Sequence, residues 1–353
     1  MMKISSCGAV SLLLLSRIFT LMIYVSEGDF KAVPFLLGIC LSTVVQAVLS
    51  IILIFFVNKS KENDFLLLIT RNKITGILFS VIYGGFFALS GAALLSDFVR
   101  FSDELFFNDK GFFFIAVPVV TVAVYGAFMG IKSLSRSASV VFFIFSFMFV
   151  ATAVLSFEMI TPLSADETTL SFSSVFDFAL YDISKSPEFV MLPFFCLCSK
   201  NIRKDYFSFL SLRLVILSAS VFLIKTVLSE FFRFTDFPFF TLVGVSGGFI
   251  KSDALCLVVW TLSATLKLSL MIYFCSLFKK KLPIKKVSGF VISGILITLL
   301  SLLGTDERQT LVSAVIVILL GGIIPLIFFV KEVFSVDKKT YFGSSHNVSS
   351  DRL

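Results

Sequence analysis

Residues 252–278 read SDALCLVVWTLSATLKLSLMIYFCSLF, a run of apolar and small side chains with Asp253 at its entrance and one charge inside it, Lys267. At about 1.5 Å per residue such a run makes a rod of roughly 40 Å, enough to cross a hydrocarbon layer of about 30 Å. Lys267 then falls near mid-membrane. Asp253, Cys256, Trp260, Ser263 and Lys267 recur at spacings of three and four and therefore share one helix face. An ammonium turned to lipid costs at least about 2.5 kcal/mol on insertion scales, so that face is expected to look into protein or a water-filled cavity.

The rest of the chain is built in the same way. Of its 353 residues 57% are hydrophobic and 15% charged, a balance that excludes a soluble domain of this length and predicts an all-α polytopic membrane protein. A membrane barrel would show alternating segments of about ten residues, which are absent. The net charge of +7 does not point to nucleic acid, because the basic residues are parcelled into short loops between apolar spans. No catalytic constellation, cofactor motif or metal site is expected. The single histidine, His346, lies in the polar C-terminal stretch, the six cysteines fall inside apolar segments, and no Walker sequence occurs. Transport or sensing is left as the function class. The apolar run after Lys3 imitates a secretory signal but has no small-residue cleavage site, and is expected to be a retained first helix.

Ten transmembrane helices are predicted near residues 5–25, 35–57, 74–98, 111–131, 137–157, 174–199, 207–228, 252–278, 287–303 and 310–332. Basic residues follow the even-numbered spans: Lys59, Lys61, Arg71 and Lys73; Lys132 and Arg136; Lys200, Arg203 and Lys204; Lys279, Lys280, Lys281, Lys285 and Lys286. Acids follow spans three and five: Asp103, Glu104 and Asp109, then Asp166 and Glu167. By the positive-inside rule both termini are then cytoplasmic. Spans one to five run opposite to spans six to ten, which is the arithmetic of a 5+5 inverted repeat. The predicted organisation is a permease-like domain over 1–335, with repeats 1–157 and 158–335, and a polar cytoplasmic tail over 336–353.

Folds of that kind hold ligands where the first helix of each half is interrupted, so spans one and six are expected to be broken. Span one carries Arg17 near its middle, facing a partner or cavity, or else snorkelling to an interface if the helix starts later. In span six Pro187 removes a helix donor and Glu188 opens the second half at a helix N-terminus; a re-entrant or purely extracellular stretch ahead of one short helix is the other reading. Span three carries a small-residue stripe, Gly76, Ser80, Gly84, Gly85, Ala88 and Gly91, suited to close helix approach, and one mid-span polar ring, Tyr83. Residues 229–251 are aromatic and suit an interfacial segment or lid on the outer face. Lys267 has two candidate roles read from the residues: ligand contact and counter-ion of Glu188.

Several short motifs carry a family likeness. Asp253-Ala254-Leu255, Trp260, Lys267, Leu268, Ser269 and Tyr273 resemble the eighth helix of the permease-like B subunits of spore germination receptors. Ser96-Asp97-Phe98 is similar to the end of that family's third helix, and Tyr125, Gly130 and Arg136 to the segment leading into its fifth. Glu188 with Leu192-Pro193-Phe194 and the basic run from Lys200 to Lys204 resemble its sixth helix and exit loop, and Phe237-Pro238 its aromatic-proline segment. Helix one departs from the pattern: LLLLSRIFTLMIYV has no glycine-containing break. The resemblance implies a LeuT-like fold of the amino acid-polyamine-organocation superfamily, in the spore inner membrane or cell membrane. It implies a third candidate role for Lys267, replacement of a sodium ion bound in the related fold. It also implies an A subunit and a lipoprotein C subunit as partners, besides membrane lipid, and a nutrient as ligand. The expected function is a germinant-sensing subunit binding a small molecule such as an amino acid at Arg17, Tyr83, Glu188, Trp260 and Lys267; the alternative is a stand-alone ion-coupled amino acid transporter.

Overall fold

The structure is a computed structural model that describes residues 4–24, 31–60, 65–103, 111–163, 167–196, 198–199, 201–229, 231, 237–246, 252–277, 286–302 and 310–344. Each expected span coincides with helix. The first five are α1 (Ser6–Tyr24), α2 (Ala32–Lys59), α4 (Lys73–Ser102), α5 (Phe112–Met129) and α6 (Ile131–Leu155), with a short α3 (Phe65–Thr70) between the second and third. The next three are the pair α7 (Phe172–Ser184) and α8 (Pro187–Phe195), then α9 (Ile202–Leu228) and α11 (Ser252–Leu277). The short α10 (Pro238–Ser246) precedes α11, and α12 (Lys286–Ser301) follows it. The last span is α13 (Thr310–Ile318) joined to α14 (Ile324–Ser344) through a π-helical turn, Leu319–Ile323. Among the described residues seven helices are long and apolar enough to cross a membrane, and Ser6–Thr20 and Ser288–Ser301 are shorter apolar helices. The chain is thus an all-α polytopic membrane protein.

One expectation is corrected. Span one is not interrupted: α1 is a single helix from Ser6 to Tyr24, because beyond Gly8 in its first turn its sequence offers neither a glycine to unwind it nor a proline to remove a donor. Span six is broken as expected, with α8 starting on Pro187 at its first position, where the missing N–H costs no intrahelical bond. The last helix continues past the hydropathy boundary at 335 to Ser344. Glu104, Asp109, Lys61, Asp166, Lys200, Lys279, Lys280, Lys281 and Lys285 lie outside the described residues, as does 345–353.

α11 is the central helix, packed against α1, α4, α5 and α6. The face carrying Cys256, Trp260, Ser263 and Lys267 is buried, as its spacing predicts. The side chain of Asp253 lies outside the described residues. The outward faces carry large apolar side chains instead, such as Phe143, Phe147 and Val150 on α6 and Leu78 and Val81 on α4, the pattern of helices solvated by lipid. In the small-residue stripe Gly91 makes a close approach, a Cβ there meeting Ile297 at 2.9 Å, whereas Gly85 faces open space.

The abundant phenylalanines form two clusters on either side of the buried polar centre. Towards the ends of α4 and α1, Trp260 stacks on Phe98 at 4.7 Å and on Phe19 at 5.2 Å, with Phe101 and Phe240 closing around it. Phe240 belongs to α10, so the aromatic segment before α11 covers this cluster, while its Gly247 and Gly248 lie outside the described residues. Towards the start of α4, Phe65, Tyr83, Phe87, Phe194, Phe274 and Phe329 interlock. Beyond them Ile4 pairs with Ser199 in an isolated bridge, its N–H donating to the Cys198 carbonyl at 2.8 Å.

Candidate functional site

The break in span six leaves exposed helix ends in the middle of the bundle, and consecutive residues of α1 hold the two halves. Arg17 donates to the Asp182 carboxylate and to the Lys185 carbonyl at the C-terminal end of α7. Ser16 donates to Glu188 Oε1 at 2.5 Å, in the first turn of α8. The guanidinium therefore serves a helix end with orphan carbonyls and a negative dipole, and the Glu188 carboxylate occupies the positive end of the next helix.

Asp182 is shared. Its Oδ1 faces Arg17, while its Oδ2 takes hydrogen bonds from Arg213 of α9 and Ser42 of α2. Arg213 also donates to Gln46 Oε1 at 2.6 Å, and Ser186 in the break donates to the Asp182 carbonyl at 2.6 Å. Arg17, Asp182 and Arg213 are all buried, so the triad joins α1, α2, α7 and α9 away from water.

Lys267 completes a second network. Its ammonium donates to the Ser16 carbonyl at 2.8 Å, to Thr20 Oγ1, and to Glu188 Oε1 at 3.3 Å. An ammonium has three donors, and all three are used. Of the roles left open by the sequence, the pairing with Glu188 is observed directly. Glu188 Oε2 has no hydrogen-bond partner among the described residues.

Beside this centre lies a cavity of about 280 Å³. Ser184, Lys185 and Pro187 of the break form one side, Lys267 and Thr20 another, Asp97 of α4 a third, and Thr310 and Ser313 of α13 the fourth. The structure thus brings Arg17, Glu188 and Lys267 together at the break, and only Lys267 of the five expected residues lines the cavity. Trp260 lies behind Phe19, which lines it. Tyr83 is fully buried in the other aromatic cluster, its hydroxyl donating to the Leu320 carbonyl at 2.7 Å.

Sequence reasoning missed Asp182 and Arg213 as site residues and met Asp97 only as part of a motif. Arg213 lies inside the apolar run of span seven, so the rule that singled out Lys267 applied to it equally. Asp182 stood in a stretch that also reads as a segment outside the membrane, where an acid needs no partner.

A buried, charge-braced helix break beside a cavity in an all-helical membrane bundle is the kind of architecture that permease-like proteins use. The family described as spore germination protein matches residues 36–310. That is more than half of the chain, which therefore belongs to this family of germination permeases. Curated proteins give no match.

Proposed function

We propose that the chain is the ligand-sensing membrane subunit of a spore germination receptor and that the cavity at the break in span six is its nutrient seat. The observation that carries this reading is the cavity wall itself. It is made of both ends of an interrupted helix and of Lys267, whose ion pair spans α11 and α8. A small molecule there touches elements able to move relative to one another, which is what sensing requires. Lys267 is the contact residue, with Glu188 as the counter-ion that a ligand carboxylate would compete with. Arg17 fixes the first half of span six, Trp260 backs Phe19 of the cavity wall, and Tyr83 bonds the turn that follows α13.

The ten helices are read as ten crossings in two inverted sets of five, in the spore inner membrane, with both termini cytoplasmic. The cavity then lies towards the outer face, since Asp97 is near the end of α4 that leads into the acidic loop. An A subunit and a lipoprotein C subunit are the partners in this reading.

Thermal unfolding of the purified full chain with amino acids, sugars and nucleosides tests the seat. A ligand at 100 times its Kd stabilises by about 2.7 kcal/mol. Ala93→Trp, which fills the cavity while leaving every charged residue in place, is expected to abolish that stabilisation while leaving the unliganded protein folded. Stabilisation that survives the tryptophan places the ligand elsewhere. Accumulation of labelled amino acid by vesicles containing only this chain would assign an ion-coupled transporter instead.

A further inference from the structure

Span ten, the α13–α14 pair, carries a second interruption. In the turn Leu319–Ile323 the backbone slips to the π register: the Ile324 N–H donates to the Leu319 carbonyl, five residues back. In that register the Leu320 carbonyl should receive the N–H of residue 325. Residue 325 is proline and has none. The Tyr83 hydroxyl of α4 supplies the missing donor at 2.7 Å. Without it, a buried carbonyl would be left unsatisfied.

The slipped turn is also seated. Gly321 lies directly on Phe189 of α8, where a Cβ would come within 2.5 Å of the ring, so the neighbour of Glu188 packs against the backbone of the turn. On one side of the turn, α13 contributes Thr310, Ser313, Ile316 and Val317 to the cavity. On the other, α14 packs on α2 and α3, and its Phe328 and Phe329 join the aromatic cluster of Tyr83.

We infer that Tyr83 is a positioning residue: its hydroxyl pins the π turn of span ten and so fixes the angle at which α13 walls the cavity. The consequence for sensing rests on the cavity being the nutrient seat, but the pin itself does not. A ligand that shifts α13 would work against one neutral hydrogen bond and the seat of Gly321 on Phe189, with no buried ion pair to break, which makes this wall the compliant one.

The test uses spin labels at Leu311→Cys on α13 and Val154→Cys on α6, both exposed positions, in the full chain with its native cysteines replaced and no ligand added. Failure of the nutrient-seat reading therefore leaves the outcome untouched. The otherwise unaltered protein should give one narrow distance distribution. Tyr83→Phe should raise a second population about tenfold. Adding Pro325→Ala restores an N–H where the Leu320 carbonyl needs one, and should return the single distribution. An unchanged distribution in Tyr83→Phe overturns the inference, and so does a broadened one that Pro325→Ala fails to rescue. If Tyr83→Phe does not accumulate folded, recovery of the double variant supports the pin and its failure overturns it.

Discussion

Spans six and ten are both interrupted beside the same cavity, with Pro187 at the end of one interruption and Pro325 just past the other, yet they are held by different forces. The break in span six is bracketed by Asp182 and Glu188, which face Arg17, Arg213 and Lys267 in buried ion pairs. The π turn of span ten is held by one neutral hydrogen bond from Tyr83 and by the fit of Gly321 on Phe189. Removing one partner of a buried ion pair typically costs about 3–5 kcal/mol, whereas removing the neutral donor to a buried carbonyl costs about 1–3 kcal/mol. The first interruption is therefore the more firmly fixed of the two, and the second the more easily moved.

The largest effect should follow from unbalancing the fixed side. Asp182→Asn leaves Arg17 and Arg213 facing a neutral amide and is expected to destabilise by about 3–5 kcal/mol, read as lost folded protein in detergent melts. Lys267→Met should cost nearly as much, because Glu188 is left buried without its counter-ion. The double variant Lys267→Met/Glu188→Gln should recover most of that stability while the germination response stays absent. A double variant that germinates normally would remove Lys267 from the sensing site.

The movable side should respond more weakly. Gly321→Ala drives a methyl into Phe189 and is expected to cost about 1–3 kcal/mol, measured against Gly85→Ala, which faces open space and should be nearly silent. Tyr83→Phe, which leaves the Leu320 carbonyl without a donor, is expected to cost about 1–3 kcal/mol in a thermal melt.

These two interruptions also differ in how far the sequence revealed them. The break at Pro187 was legible because proline removes a donor at a known position and an acid follows it. The break expected in span one from the inverted-repeat arithmetic was wrong, although the absence of glycine from LLLLSRIFT stood against it. The partners of the charges were not, since Asp182 and Arg213 meet across three helices and neither spacing nor hydropathy reports which side chains converge. The role of Tyr83 depends on the π register, and the sequence shows only two glycines and a proline, which fit an ordinary helix equally well. The phenylalanine bias acquires a packing account, as two aromatic clusters that close the bundle on either side of its charges.

Amide hydrogen exchange of the purified chain compares the two interruptions directly. The segment over 319–326 should exchange faster than Pro187–Phe195 in the unliganded protein, and a nutrient that stabilises the chain should slow the first while leaving the second unchanged. Equal protection of the two segments, or a ligand effect confined to Pro187–Phe195, would contradict a charge-fixed seat with a movable wall.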